Sequence, residues 1–166
     1  MMALIRQNWR PLWASFIALM TLLILLFFFK GQDHTMHLSL SHQKTNQIFN
    51  TVRVEEGDIV IYEWIHSFEK IPWNEYYQIQ ADGKLKLYRI EVAGFGAGIP
   101  ENKGKMHVEN GLVIMSEFEE LYDDIHWIHS NTALTRIKVS DKQIIKGTDL
   151  PHHEPLKLEI VGRSIQ

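Results

Sequence analysis

Polar and apolar positions divide the chain into one long greasy run near its start and a long stretch of short alternations after it. Leu12 to Phe29 is eighteen residues without a charge, and Ser15 and Thr21 supply its only hydroxyls. As a helix rising about 1.5 Å per residue, the run would span roughly 27 Å, close to the hydrocarbon thickness of a bilayer. Arg6 and Arg10 precede it with no acidic residue among the first eleven, whereas Lys30 is followed at once by Gly31, Gln32 and Asp33. The positive-inside bias then keeps the N-terminus in the cytoplasm. Pro11 suits the first turn of such a helix, and Trp9 and Trp13 suit the headgroup level. A cleaved signal peptide is the rival reading. Its core usually ends in small residues, and here Phe27-Phe28-Phe29-Lys30 offers no such cleavage site, which favours an uncleaved anchor. A buried core helix fits less well, because a surface apolar on all sides finds too few partners in so small a chain. The expected organisation is a cytoplasmic segment 1–11, a transmembrane anchor 12–29, a linker 30–35 and an extracytoplasmic domain 36–166.

Beyond the linker the apolar positions recur with period two, the signature of strands. Met36, Leu38 and Leu40 alternate with His37, Ser39 and Ser41. Ile59, Ile61 and Ile65 oppose Val60, Tyr62 and Trp64, so this strand is apolar on both faces and belongs in the middle of a sheet. Tyr77 and Ile79 continue the alternation. Leu85 and Leu87 begin a strand whose phase slips by Tyr88, Ile90 and Val92, which predicts a bulge near Arg89. Asn110-Gly111 suits a two-residue turn with positive φ at both positions, making 105–117 a hairpin with Val108 facing Val113 and Met106 facing Met115. Ser140-Asp141-Lys142 predicts a second hairpin joining 133–139 to 143–146, and Leu156, Leu158 and Ile160 form the last strand. Glu117 to Asp124 allows one acidic helical turn. About nine short strands predict a mostly β domain, a small antiparallel sandwich or barrel preceded by one transmembrane helix.

The part after residue 29 carries 15 Lys and Arg against 20 Asp and Glu. That acidic balance, without a basic stripe, argues against nucleic acid as a partner. With no cysteine in the chain, thiol catalysis, disulfides, thiolate-bound zinc and covalent haem attachment are excluded.

Residues 64–77 are dense in titratable and aromatic groups around Pro72. One reading is a pocket with aromatic walls in which His66, Glu69 and Glu75 offer polar contacts to a ligand or partner loop. The other is structural: a strand ending at Ser67, a turn stiffened by Pro72, and Trp64 with Trp73 filling the core. Gly94-Phe95-Gly96-Ala97-Gly98-Ile99-Pro100 follows a strand rather than opening a helix, so it is no dinucleotide fingerprint. It reads as an irregular crossing or as a backbone surface for an anion. Trp64-Ile65-His66-Ser67 recurs as Trp127-Ile128-His129-Ser130 with unmatched flanks, and coincidence accounts for it better than duplication. Nine histidines invite a metal hypothesis, but His126 and His129 point oppositely along a strand, and His152-His153 are merely adjacent. The histidines are read as solvent-facing, with no metal and no other cofactor expected. Ser67 beside His66 makes a poor nucleophile and base, so no catalytic residue is assigned.

In these residues the chain resembles a bacterial family known only as a domain of unknown function. Its pattern is Trp-x-His-Ser-x-Glu-x-x-Pro-Trp-x-Glu followed by Gly-Phe-Gly-Ala-Gly-x-Pro. Trp64, His66, Ser67, Glu69, Pro72, Trp73 and Glu75 match the first element; Gly94, Phe95, Gly96, Ala97, Gly98 and Pro100 match the second. The resemblance spans about residues 57–145, and the tail from Thr148 to Gln166 departs from it. It implies a small membrane-anchored extracytoplasmic protein of the bacterial cell membrane, often encoded beside TRAP transporters of the TAXI type, which import organic anions. The matching residues are then candidates for ligand or partner contact. The leading expectation is a non-enzymatic accessory or binding module associated with such a transporter. An independent small-ligand-binding domain is the alternative, and a metal-dependent hydrolase ranks below both.

Overall fold

In a computed structural model of the chain, residues 15–17, 19–21, 35–94 and 104–162 are described. The chain forms two compact units, Met1–His34 and Thr35–Gln166. Within the first, the described residues 15–17 and 19–21 are helical, and the remainder of the expected anchor at 12–29 lies outside the described residues. Among the described residues no helix is long and apolar enough to cross a membrane.

The second unit is mostly β, and its strands form two antiparallel sheets, with no closed barrel among the described residues. In chain order the strands are β1 (Met36–His42), β2 (Ile48–Val54), β3 (Ile59–Ile65), β4 (Pro72–Ile79), β5 (Leu85–Val92), β6 (Lys105–Glu109), β7 (Leu112–Ser116), β8 (Leu121–Tyr122), β9 (Asp124–Ile128), β10 (Leu134–Val139), β11 (Lys142–Lys146) and β12 (Pro155–Val161). The smaller sheet runs β2-β1-β12-β9; the larger runs β11-β10-β3-β4-β5-β7-β6, with β8 on β5. One apolar core serves both. Leu38 and Leu40 of β1 and Leu156 and Leu158 of β12 meet Val60, Tyr77, Ile79 and Leu85 of the larger sheet. At one side the sheets are tied edge to edge, the Asn50 amide of β2 donating to the Ile144 carbonyl of β11 at 2.6 Å.

Period-two patterning accounts for most of this. β3 lies inside the larger sheet, burying Val60 and Tyr62 while its isoleucines are half-covered. The phase slip in β5 is a bulge. Tyr76 pairs with Arg89 but Tyr77 with Leu87, which leaves Tyr88 as the extra residue and moves the buried positions from Leu85 and Leu87 to Ile90 and Val92. The Asn110-Gly111 turn has φ of 50° and 80°, with Val108 opposite Val113 and Met106 opposite Met115. All of β6 is nevertheless exposed.

Two expectations are corrected. Residues 117–124 make no helical turn: Phe118 is buried, and Leu121–Tyr122 pairs with β5 as β8. In the second hairpin Lys142 pairs with Val139, so the turn is Ser140-Asp141 alone, with Ser140 at φ 51°. No strand is expected at 48–54 from the sequence; β2 carries no clean alternation there because its pairing with β1 skips Phe49, and this bulge shifts the inward positions.

Candidate functional site

The residues singled out around Pro72 form the β3–β4 hairpin. Antiparallel pairing sets Trp64 opposite Trp73 and Tyr62 opposite Glu75, all on the face turned to the core. Strand β3 ends at Ile65 rather than Ser67, and Pro72 opens β4 rather than stiffening the turn, where its missing N–H costs least. The turn is closed by backbone instead. His66 N–H donates to the Ile71 carbonyl and Lys70 N–H to the His66 carbonyl, each at 2.9 Å, with Lys70 at φ 56°. His66 Nδ1 accepts the Glu69 N–H at 3.2 Å.

Three rings meet at the base of this turn. Trp64 and Trp73 lie 5.2 Å apart between centroids, and His66 lies 5.7 Å from Trp73, nearly parallel to it. Beside them Glu75 accepts hydrogen bonds from Trp73 Nε1 at 3.0 Å and Tyr77 Oη at 2.6 Å. The Trp64 indole also lies near this carboxylate, although its buried Nε1 forms no hydrogen bond of regular geometry. Burial pushes the Glu75 carboxyl above its ordinary value and outweighs the opposing donors Tyr77, Trp73 and Trp64. Burial, and then the charge of Glu75, push the hydroxyls of Tyr62 and Tyr77 upward in turn.

On the other side of these rings is a cleft of about 250 Å³ lined by Tyr62, Trp64, Trp127, Ile128, Ser130, Ala133 and Leu134. Trp127 meets Tyr62 edge to face at 5.3 Å. The cleft's small volume and aromatic walls suit a single side chain or a small organic group.

The structure thus brings the rings of Trp64, His66 and Trp73 together beside the Glu75 carboxyl, while Ser67 and Glu69 belong to the turn and Pro72 to the first position of β4. Ser67 and Pro72 are exposed and Glu69 is half-buried in the turn. Between Ser67 and Glu69, Phe68 is 77% exposed. Gly94 comes back to the same hairpin: a Cβ there would stand 3.3 Å from Ile71 Cδ1, and the neighbouring Ala93 N–H donates to the Pro72 carbonyl. Phe95, Gly96, Ala97, Gly98 and Pro100 lie outside the described residues.

Two features escaped the sequence. Tyr62 and Tyr77 complete the surroundings of Glu75; Tyr77 could have been found, since it stands two positions along β4 and therefore shares Glu75's face. His129, expected to face solvent, is fully buried. It lies just past the end of β9, where its Nε2 is 2.9 Å from both the Gly147 carbonyl and Asn131 Oδ1, while Nδ1 receives Trp127 Nε1 at 3.4 Å. The echoed tetrapeptides therefore differ in role, one histidine stacking on a tryptophan and the other pinning a loop. Among the described residues no three His, Asp or Glu side chains stand close enough to hold a metal ion.

A family model described as a domain of unknown function, DUF1850, matches residues 60–145, a little over half of the 166 residues. The chain belongs to this family. The DUF1850 match begins inside β3 and ends inside β11, so it takes in the larger sheet and β9 but not β1, β2 or β12. The glutamate-centred hairpin lies wholly within it. No curated protein and no solved structure matches the chain.

Proposed function

We propose that this chain is a membrane-tethered, non-enzymatic accessory module that works on the extracytoplasmic side beside a TAXI-type TRAP transporter, docking through the tip of its β3–β4 hairpin. The observation that carries the docking role is Phe68, 77% exposed between Ser67 and Glu69 on a turn whose base is stacked and hydrogen-bonded. An exposed aromatic on a rigid base loses little entropy on binding, which suits it to anchor an interface. Tethering is supported by the uncharged run 12–29 with arginines before it, and by Phe16 and Ile17, helical and 61% and 60% exposed. The transporter as partner rests on the motif resemblance.

The test is to extract the full chain from native membranes in mild detergent and identify what is retained. Transporter subunits should co-purify, and Phe68→Ser should reduce their recovery. Recovery of none, under conditions that keep known complexes intact, would overturn the proposal. Protease added to intact spheroplasts should digest the β domain, and its survival would overturn the placement.

A second reading is favoured by the cleft of Tyr62, Trp64 and Trp127: an independent small-ligand-binding domain. The cleft's aromatic walls suit a small cation, which the faces of Tyr62, Trp64 and Trp127 would attract. Thermal shifts across cations, amino acids and organic acids test this reading, and a flat response to all of them removes it.

A further inference from the structure

β6 forms one edge of the larger sheet, all five of its residues are exposed, and among the described residues it pairs only with β7. Its inward side chains, Met106 and Val108, are 53% and 57% exposed although their partners Met115 and Val113 are fully buried. The hairpin therefore carries an apolar margin beyond the shared core. An edge of this kind invites a further strand.

The geometry of the turn fixes which backbone groups are free. In a two-residue hairpin the pair flanking the turn, Glu109 and Leu112, exchanges both hydrogen bonds, and pairs then alternate. Lys105, His107 and Glu109 thus spend their N–H and C=O groups on β7. Those of Met106 and Val108 point outward.

The sequence of the edge, Lys105-Met106-His107-Val108-Glu109, is complementary to its own reverse. We propose that β6 pairs antiparallel with β6 of a second copy of this chain about a two-fold axis through His107. In that register Met106 and Val108 exchange their free backbone groups with Val108 and Met106 of the other copy. On the opposite face each Lys105 meets a Glu109 and the two His107 rings adjoin. On the apolar face the Met106–Val108 margin is continued across the axis. Lys105 now pairs with Glu117 of its own chain at 2.7 Å, and His107 with Glu109 at 3.7 Å; all four side chains are exposed and can re-pair at little cost. Such isologous pairing closes on itself, so it yields dimers rather than fibres. The contact is small, in the range of transient interfaces. It does not depend on the proposed transporter partner.

A chain without cysteine allows a direct test. Opposed residues of a non-hydrogen-bonded antiparallel pair have Cα atoms about 4.5 Å apart, within the span of a disulfide. Under mild oxidation of membranes holding the full chain, His107→Cys should form a covalent dimer at least about tenfold faster than Asp141→Cys, which lies on the exposed turn at the opposite edge of the sheet. Adding Val108→Pro, which removes an outward N–H and leaves the β7 ladder intact, should abolish the difference. Adding Lys105→Glu should slow cross-linking, and adding Glu109→Lys as well should restore it. Unchanged thermal unfolding of each variant establishes that the fold is kept. Equal rates for His107→Cys and Asp141→Cys, or a fast rate indifferent to Val108→Pro or to the charge swap, would overturn the pairing.

Discussion

Tyr77 donates its hydroxyl to Glu75 at 2.6 Å from two positions along the same strand, while Trp73 donates from two positions on the other side at 3.0 Å. The inward face of β4 is therefore a Trp-Glu-Tyr row tied together by one carboxylate. Removing that carboxylate strands two donors. Glu75→Ala should cost about 2–4 kcal/mol in urea unfolding, and Glu75→Gln, which keeps an acceptor, about 1.5 kcal/mol or less. Equal costs would mean that the row is held by packing alone.

The same carboxyl sets a pH dependence. Because burial holds it above its ordinary 4.5, the folded state binds this proton more tightly than the unfolded chain does. Its stabilising contribution is complete below that value and is lost as pH rises through the folded one. Glu63 acts in the opposite sense: burial raises its carboxyl, but hydrogen bonds and charge from Lys138 and Arg136 outweigh this and hold it below 4.5. Whole-protein titration would blur the two. The stability of the wild-type protein relative to Glu75→Gln should fall as pH rises above about 4.5, and a difference flat from there to pH 8 refutes the assignment.

His129 responds on the other side of neutrality. Burial lowers its ring below the ordinary 6.5, against the raising effect of Gly147 and Asn131, and its contacts fit a neutral ring protonated on Nε2. The unfolded chain then takes up the proton first, so stability is full above 6.5 and declines as pH falls below it. His129→Leu should flatten that decline in the urea midpoint. It should also cost about 1–3 kcal/mol at neutral pH, because the Gly147 carbonyl loses its buried donor.

How far the sequence reaches is visible in these same residues. Alternation is a backbone property, so Val60 and Tyr62 in β3 and the slip between Leu87 and Ile90 in β5 could be read directly, down to the bulge. Asn110-Gly111 gave the hairpin register for a similarly local reason. Which strand lies over which depends on contacts between distant segments. Nothing near Val108 announces that it stays exposed, and nothing near His129 announces that Gly147 closes over it. Glu75 was legible as a candidate but not as the centre of a row, because its partners Trp73 and Tyr77 look in sequence like ordinary core aromatics.

Gly147 and Gly57 offer a contrast that depends on space. A Cβ at Gly147 would lie 1.8 Å from the Leu134 carbonyl oxygen, so backbone would have to move. At Gly57 it would meet nothing, and only the positive φ of 89° resists substitution. Gly147→Ala should cost about 3 kcal/mol or more and Gly57→Ala about 1 kcal/mol by thermal unfolding. Similar losses at both positions would show that the close approach of Gly147 to Leu134 is absent in solution.

Phe68 and Trp73 separate docking from folding. Both are large aromatics of one hairpin, but Phe68 is 77% exposed and Trp73 5%. Truncating an exposed ring leaves no cavity, so Phe68→Ser should change stability by about 0.5 kcal/mol or less. Trp73→Ala removes a ring stacked on His66 and tilted against Trp64, together with a donor to Glu75, and should cost about 3–5 kcal/mol. If the turn is a docking tip, Phe68→Ser must lose partner recovery from membranes while keeping its urea midpoint, whereas a milder core variant such as Trp73→Phe must lose stability first and recovery only in proportion. A Phe68→Ser protein that recovers partners as well as the wild type would leave the exposed ring without a binding role and move the search for the contact surface elsewhere on the domain.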